Sequence, residues 1–173
     1  MTTIADLRSG LSATAAEELF DSLAPVSTDD MLGRWHGSEV PTGHPMDGLL
    51  DASGWYGKEF IDADSVHPLL FGKPGDLFAV NPKLVPMQTL NRLGNRMPRT
   101  LPPGGGLAFR AMRTTKPRAR IRVVEFRGTA SAAMVYDDIP VIDHFRRLDA
   151  NTVLGAMDQR GSAQIYFFLL ERE

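Results

Sequence analysis

A chain of 173 residues with 43% hydrophobic content has room for one domain with a real core, or two tightly joined halves, and is too short for several. The absence of cysteine excludes disulfides, thiolate catalysis and cysteine-held zinc or iron–sulfur sites. Net charge is only −2, but residues 92–127 hold ten basic residues against one acid, Glu125, so this segment carries +9 and the remainder −11. Such asymmetry marks either a surface for anions or two parts that fold against each other. The acidic stretches DDMLG, MDGLLD, FIDADS and VYDDIPVIDHF supply counter-charges for the second reading. No nucleic-acid module is visible, so nucleic acid is not an expected partner. No apolar run approaches the roughly 20 residues of a membrane span, and MTTIADLRSGLSATAAEELF has no continuous apolar core of a secretory signal. A soluble, cytoplasmic protein is the expectation.

In chain order, residues 1–30 read as N-terminal helices. Thr14 and Glu17 form a T-x-x-E capping box within a helix over residues 4–24, whose apolar stripe is Ala15, Ala16, Leu19, Phe20 and Leu23. A shorter turn, STDDML at 27–32, places Asp29 and Asp30 near its positive end. Residues 31–101 begin with MLGRWHG, where the spacing Gly33, Trp35, Gly37 puts all three on one strand face. Bare backbone on both sides of Trp35 predicts a close crossing by another chain segment or a ligand. From Pro41 to Arg99 the pattern gives a helical spacing at Met46, Leu49 and Leu50, an extended stretch through Trp55, Tyr56, Phe60 and Ile61, and a strand in DLFAV. Prolines and glycines interrupt the rest. PPGGG at 102–106 reads as a linker or loop.

Residues 107–173 read as an antiparallel meander. RARIRVVEFRG alternates Arg118, Arg120 and Arg122 with Ala119, Ile121 and Val123, giving a charged and an apolar face. The phase change at Val124 suggests a bulge. TASAAMVY pairs with it across Arg127-Gly128, IPVIDHFRRLD is a short helix or turn, and TVLGAMD with AQIYFFLLER forms a last hairpin. A meander without crossover helices closes into a barrel or folds into a sandwich.

GRWHG, WYGKEF, PLLF, MVYDDIPVIDHFRRLDANTVLGAMD and YFFLLER together resemble the bacterial and fungal family named for its GXWXG signature, followed by its C-terminal domain of unknown function. That resemblance implies no reaction. More distantly, a helical turn before G-x-W is similar to lipocalins, and G-x-W-x-G is similar to nitrobindin-type haem barrels. In these calycin-like folds the tryptophan plugs a barrel end and packs on a basic residue from a late strand. The fold class expected is therefore mainly β, an antiparallel calycin-like β-barrel with N-terminal helices, with Trp35 as the plug and room for one small ligand.

Several residues carry candidate chemistry. Tyr136, Asp137, Asp138, Asp143 and His144 are close enough in sequence to form an acid/base set, or a charged turn. The four histidines lack H-x-x-x-H or H-x-H spacing, so no metal site is expected, although His144 or His67 remains open as an axial haem ligand. The three arginines face solvent, pair with acids, or line a cavity, and Ile121 and Val123 are expected in the core, with Arg122 as the arginine nearest an exception. Met46, Met87, Met97, Met112, Met134 and Met157 suit an adaptable apolar lining. The function expected is binding of a small hydrophobic or amphipathic ligand, such as a fatty acid, isoprenoid or lipid-like metabolite. Its binding residues are expected among Trp35, Tyr56, Lys58, Arg110, Arg122, Tyr136 and His144. A haem barrel and an enzyme working through Tyr136 to His144 are the alternatives, and cofactor and oligomeric state are left open.

Overall fold

The computed structural model describes residues 3–100 and 102–173. Two helices lead the chain, α1 (Ile4–Ser9) and α2 (Ala13–Ser22), rather than one. Gly10, at φ 105, ends the first, and the Ser12 side chain caps the second by accepting from the amide of Ala15. Thr14 is therefore inside the helix and is not its cap. A two-residue strand, β1 (Ala24–Pro25), and a 3-10 turn at Asp29–Met31 then deliver the chain to β2 (Gly33–Val40).

After β2 come α3 (Leu49–Ser53), β3 (Trp55–Phe60), β4 (Val66–Phe71), β5 (Phe78–Val80), α4 (Met87–Leu93), α5 (Gly105–Ala111) and β6 (Arg113–Thr114). Gly105 and Gly106, read from sequence as loop, open α5, with Gly104 left-handed at its N-cap. The C-terminal meander is β7 (Ala119–Phe126), β8 (Thr129–Tyr136), β9 (Val141–Arg147), β10 (Thr152–Gln159) and β11 (Tyr166–Arg172). IPVIDHFRRLD thus contains a full strand, where a helix or turn was expected. Arg127 and Gly128, both at positive φ, make the two-residue turn between β7 and β8.

Strands β2, β3, β4, β7, β8, β9, β10 and β11 pair in a ring to form a closed eight-stranded antiparallel barrel. The seam between β4 and β7 is short, with Val66 opposite Ala119, and residues 72–100 and 102–118 leave the barrel there and carry β5, α4, α5 and β6. Side chains alternate as the pleat requires. On β9, Val141, Asp143 and Phe145 face the barrel core, while His144 stacks on Phe126 and Arg146 lies over Phe20 outside it. The outer faces of β2, β10 and β11 present Val40, Leu154, Ala156, Phe167 and Leu169 to Leu7, Ala16 and Phe20 of the N-terminal helices. No helix among the described residues is long and apolar enough to cross a membrane.

The arginine strand resolves the charge asymmetry. Arg118 pairs with Asp138, Arg120 with Asp137 and Arg122 with Asp64, while Arg127 meets Glu17 and Asp21. Ile121 is buried, but Val123 is 62% exposed. No bulge accompanies the phase change, because β7 and β8 stay in register from Ala119 opposite Tyr136 to Phe126 opposite Thr129.

Candidate ligand cavity

Trp35 closes one end of the barrel. It is 1% exposed, its Nε1 donates to the Met31 carbonyl at 2.8 Å, and the guanidinium of Arg172, from the last strand, lies 4.3 Å from its ring centre. Arg172 also donates to the Leu32 carbonyl at 2.9 Å, so the plug is tied to the turn that precedes it. Register places the opposite end of the barrel beside the start of β3 and the start of β11, where Trp55, Tyr166 and Phe168 stand.

At that opposite end the inner wall encloses a cavity of about 490 Å³. Its barrel side is built by Trp55 and Lys58 of β3, Leu69 and Phe71 of β4, Tyr136, Asp143, Met157 and the two β11 aromatics. Its roof comes from the excursions: Met46, Leu49 and Leu50 around α3, Met87 and Leu90 of α4, and Phe109 of α5. Phe109 stacks on Phe71 at 4.5 Å between ring centres, fastening α5 to the barrel rim. Four methionines named from the sequence, Met46, Met87, Met97 and Met157, are in the lining.

Two glycines make space for the wall aromatics. A Cβ on Gly37 would lie 2.2 Å from Cη2 of Trp55, and one on Gly155 would lie 2.4 Å from the ring of Phe168. Trp55 and Phe168 then meet edge to face at 6.0 Å. Gly37 therefore seats a side chain, not the crossing backbone expected from its spacing. The close backbone approach occurs at Gly57, where a Cβ would stand 1.9 Å from the Trp35 carbonyl oxygen and where the β3–β4 register shifts.

One polar cluster interrupts the apolar wall. Lys58 Nζ donates to Asp143 Oδ2 at 2.9 Å, to the Pro68 carbonyl at 3.1 Å and to the Tyr136 hydroxyl at 3.4 Å. Tyr136 in turn donates to Asp143 Oδ2 at 3.4 Å. Three rings, those of Phe168, Trp55 and Tyr136, surround Nζ at 5.0, 5.6 and 5.7 Å. Burial outweighs the nearby amine and holds the Asp143 carboxyl above the ordinary carboxylate range, and it pushes the Tyr136 phenol well above its usual value. Asp143 Oδ1 and Trp55 Nε1 have no hydrogen-bond partner among the described residues.

A second buried acid anchors the roof. Glu39 accepts from the amides of Gly48 at 2.7 Å and Leu50 at 2.9 Å, and from the hydroxyl of Tyr166, so β2, α3 and β11 are joined at one carboxylate. Desolvation raises its pKa. Arg99 donates to the Pro45 carbonyl at 3.3 Å and to the Met97 carbonyl at 3.3 Å, holding the segment after α4 beside the segment before α3.

Of the residues expected to bind ligand, Lys58 and Tyr136 line the cavity. Trp35 lies beyond it at the plugged end. Tyr56 points outward to Glu173, Arg110 pairs with Asp76 and covers Phe78, and Arg122 is held by Asp64, so none of these three reaches the cavity. Alternation on β9 sends His144 outward against Phe126 while its neighbour Asp143 points in. The Tyr136 to His144 cluster is thereby split between two faces, and Asp137 and Asp138 pair with outer arginines. His67, opposite Glu59 on β3, is also outside the lining, so neither histidine considered for haem stands in the cavity. Asp143 acquires its place from the strand pleat, a signal available only once IPVIDHF is read as alternating.

Residues 18–75 match the family described as GXWXG protein, and residues 117–172 match the family described as a domain of unknown function, DUF4334. A crystal structure of a protein from Thermomonospora curvata is 37% identical, with a TM-score of 0.69, over 95% of this chain and 89% of that one. No curated protein matches. With its signature segment forming the plug and first strands, and its second segment the meander that closes the ring, the chain belongs to the GXWXG family, with the DUF4334 domain following.

Proposed function

We propose that the protein binds a small hydrophobic or amphipathic molecule, of the fatty-acid, isoprenoid or lipid-like kind, inside its barrel, in a soluble, cytoplasmic setting. The observation that carries this reading is the cavity of about 490 Å³, walled by apolar side chains with one buried polar cluster. Pockets of this size with few polar groups suit compact ligands. Each ~100 Å² of ligand apolar surface removed from water contributes about 2.5 kcal/mol. That gain must exceed a cost of roughly 4 kcal/mol or more for lost freedom, so the ligand needs an extended apolar body. Residues 31–101 and 107–173 act together in this reading, since both contribute to the wall.

The test is titration with N-phenyl-1-naphthylamine, an uncharged dye that brightens in apolar surroundings. The expected result is saturable binding at one site, weakened in Met157→Trp, whose indole takes up part of the cavity. Absence of saturable binding to the folded wild type, or equal binding by a folded Met157→Trp, contradicts the proposal.

A further inference from the structure

We infer that the cavity selects ligands whose polar end is an uncharged carbonyl, an aldehyde or ketone, and rejects the ionised carboxylate of a fatty acid. This rests on the cavity being the ligand site. Lys58 and Asp143 are the charged side chains in the lining, and they stand 2.9 Å apart at 3% and 1% exposure. As a unit the pair has no net charge, whichever partner holds the proton. An entering carboxylate would therefore be a buried charge without a counter-charge, which is strongly disfavoured. Arg110, Arg118, Arg120 and Arg122 are outside, each held by its own acid, and Arg99 at the roof is spent on the Pro45 and Met97 carbonyls.

Hydrogen bonding then favours an acceptor. The Tyr136 hydroxyl is only loosely engaged, at 3.4 Å from both Lys58 and Asp143, and is free to turn its proton toward a ligand. The Trp55 Nε1 proton has no partner, and its ring lies 5.6 Å from Lys58 Nζ in the same wall. Two donors, the loosely held Tyr136 hydroxyl and the unpartnered Trp55 Nε1, therefore stand beside one unpartnered acceptor, Asp143 Oδ1, whose companion Oδ2 is committed to Lys58. A carbonyl oxygen accepts from such donors and brings no charge. Its alkyl body would lie against Leu69, Met157 and Phe168.

The experiment is displacement of bound N-phenyl-1-naphthylamine at pH 8 by molecules of equal chain length: dodecan-2-one, dodecanal and dodecanoate. The ketone and aldehyde are expected to compete at least tenfold more tightly than dodecanoate. Tyr136→Phe, with the dye affinity of the variant itself as the reference, should weaken the ketone about fivefold to tenfold and dodecanoate less. Asp143→Asn leaves Lys58 without its counter-charge and should invert the order, making dodecanoate the better competitor. If Asp143→Asn does not fold, the wild-type series and Tyr136→Phe decide. Wild-type affinity for dodecanoate equal to or above that for the ketone overturns the inference, as does a ketone affinity unchanged in Tyr136→Phe. Failure of the dye itself to bind would instead remove the underlying cavity reading.

Discussion

Gly37 shows how much a single missing side chain can decide. Its strand position beside Trp35 was legible from the Gly-x-Trp-x-Gly spacing, but its neighbour was not, because the indole it seats belongs to Trp55, 18 residues further on. Valine at this position would put Cβ 2.2 Å from Cη2 of Trp55 and force that ring toward the cavity. Gly37→Val is expected to destabilise the protein by about 1–3 kcal/mol, the cost of overpacking, and to lower dye affinity; chemical denaturation and the dye titration check both. His144 makes a prediction about pH. Burial against Phe126 and the nearby Arg146 lower its pKa from 6.5 to about 4. Between those values the unfolded chain takes up a proton that the folded chain does not, so stability falls as pH drops from 6.5 toward 4. The shift corresponds to about 3 kcal/mol at full effect. Asp143 and Glu39, whose pKa values are raised, act in the opposite sense, and His44 and His67 in the same sense, so the comparison must be internal. Denaturation at pH 6.5 and pH 4 should show a larger loss in the wild type than in His144→Gln, and equal losses would contradict the assignment.

At the scale of elements, legibility followed the cleanliness of alternation. β7, with arginines on one face, and the apolar β10 and β11 were readable because burial and polarity alternate or because apolar residues run together. β9 was hidden because polar residues occupy both its faces: Asp143 inside is satisfied by Lys58, and Arg146 outside donates to the carbonyls of Phe126 at 2.9 Å and Thr129 at 3.2 Å. Those partners are distant in sequence, so nothing local announces that these charges can be buried. Likewise, the split between α1 and α2 was marked locally by Gly10 and Ser12, while T-x-x-E at Thr14 offered a competing cap that tertiary packing does not use. The outer face of β7 gives the corresponding prediction. Arg120, half exposed and 2.9 Å from Asp137, forms a surface pair. Replacing it by Gln should change unfolding free energy by no more than about 0.5 kcal/mol and leave ligand affinity unchanged; a loss beyond about 1 kcal/mol would mean the pair does more than screen the surface.

For the whole molecule, the succession of antiparallel hairpins left barrel and sandwich open, and it was the resemblance to calycin-like folds that pointed to closure and to Trp35 as the plug. The cavity was legible only in part. Lys58, Tyr136 and four of the six named methionines were identifiable as residue types suited to a lining, while Met112 and Met134 lie outside it, and the enclosure depends on α3, α4 and α5 folding back over the open end. That region has weak periodicity and many prolines and glycines, and its placement is fixed by distant partners such as Glu39 and Phe71. The result is a barrel sealed at one end by Trp35 and roofed at the other, with the unfilled space gathered beneath the roof.

Whether the barrel holds a small molecule can be read by native mass spectrometry of protein purified without detergent, before and after incubation with N-phenyl-1-naphthylamine. The expected result is either a co-purifying small molecule that is released on denaturation, or a bare chain that takes up one dye per polypeptide, and in both cases Met157→Trp is occupied to a lesser extent. A folded wild-type chain that is bare as purified and stays bare with excess dye would contradict it.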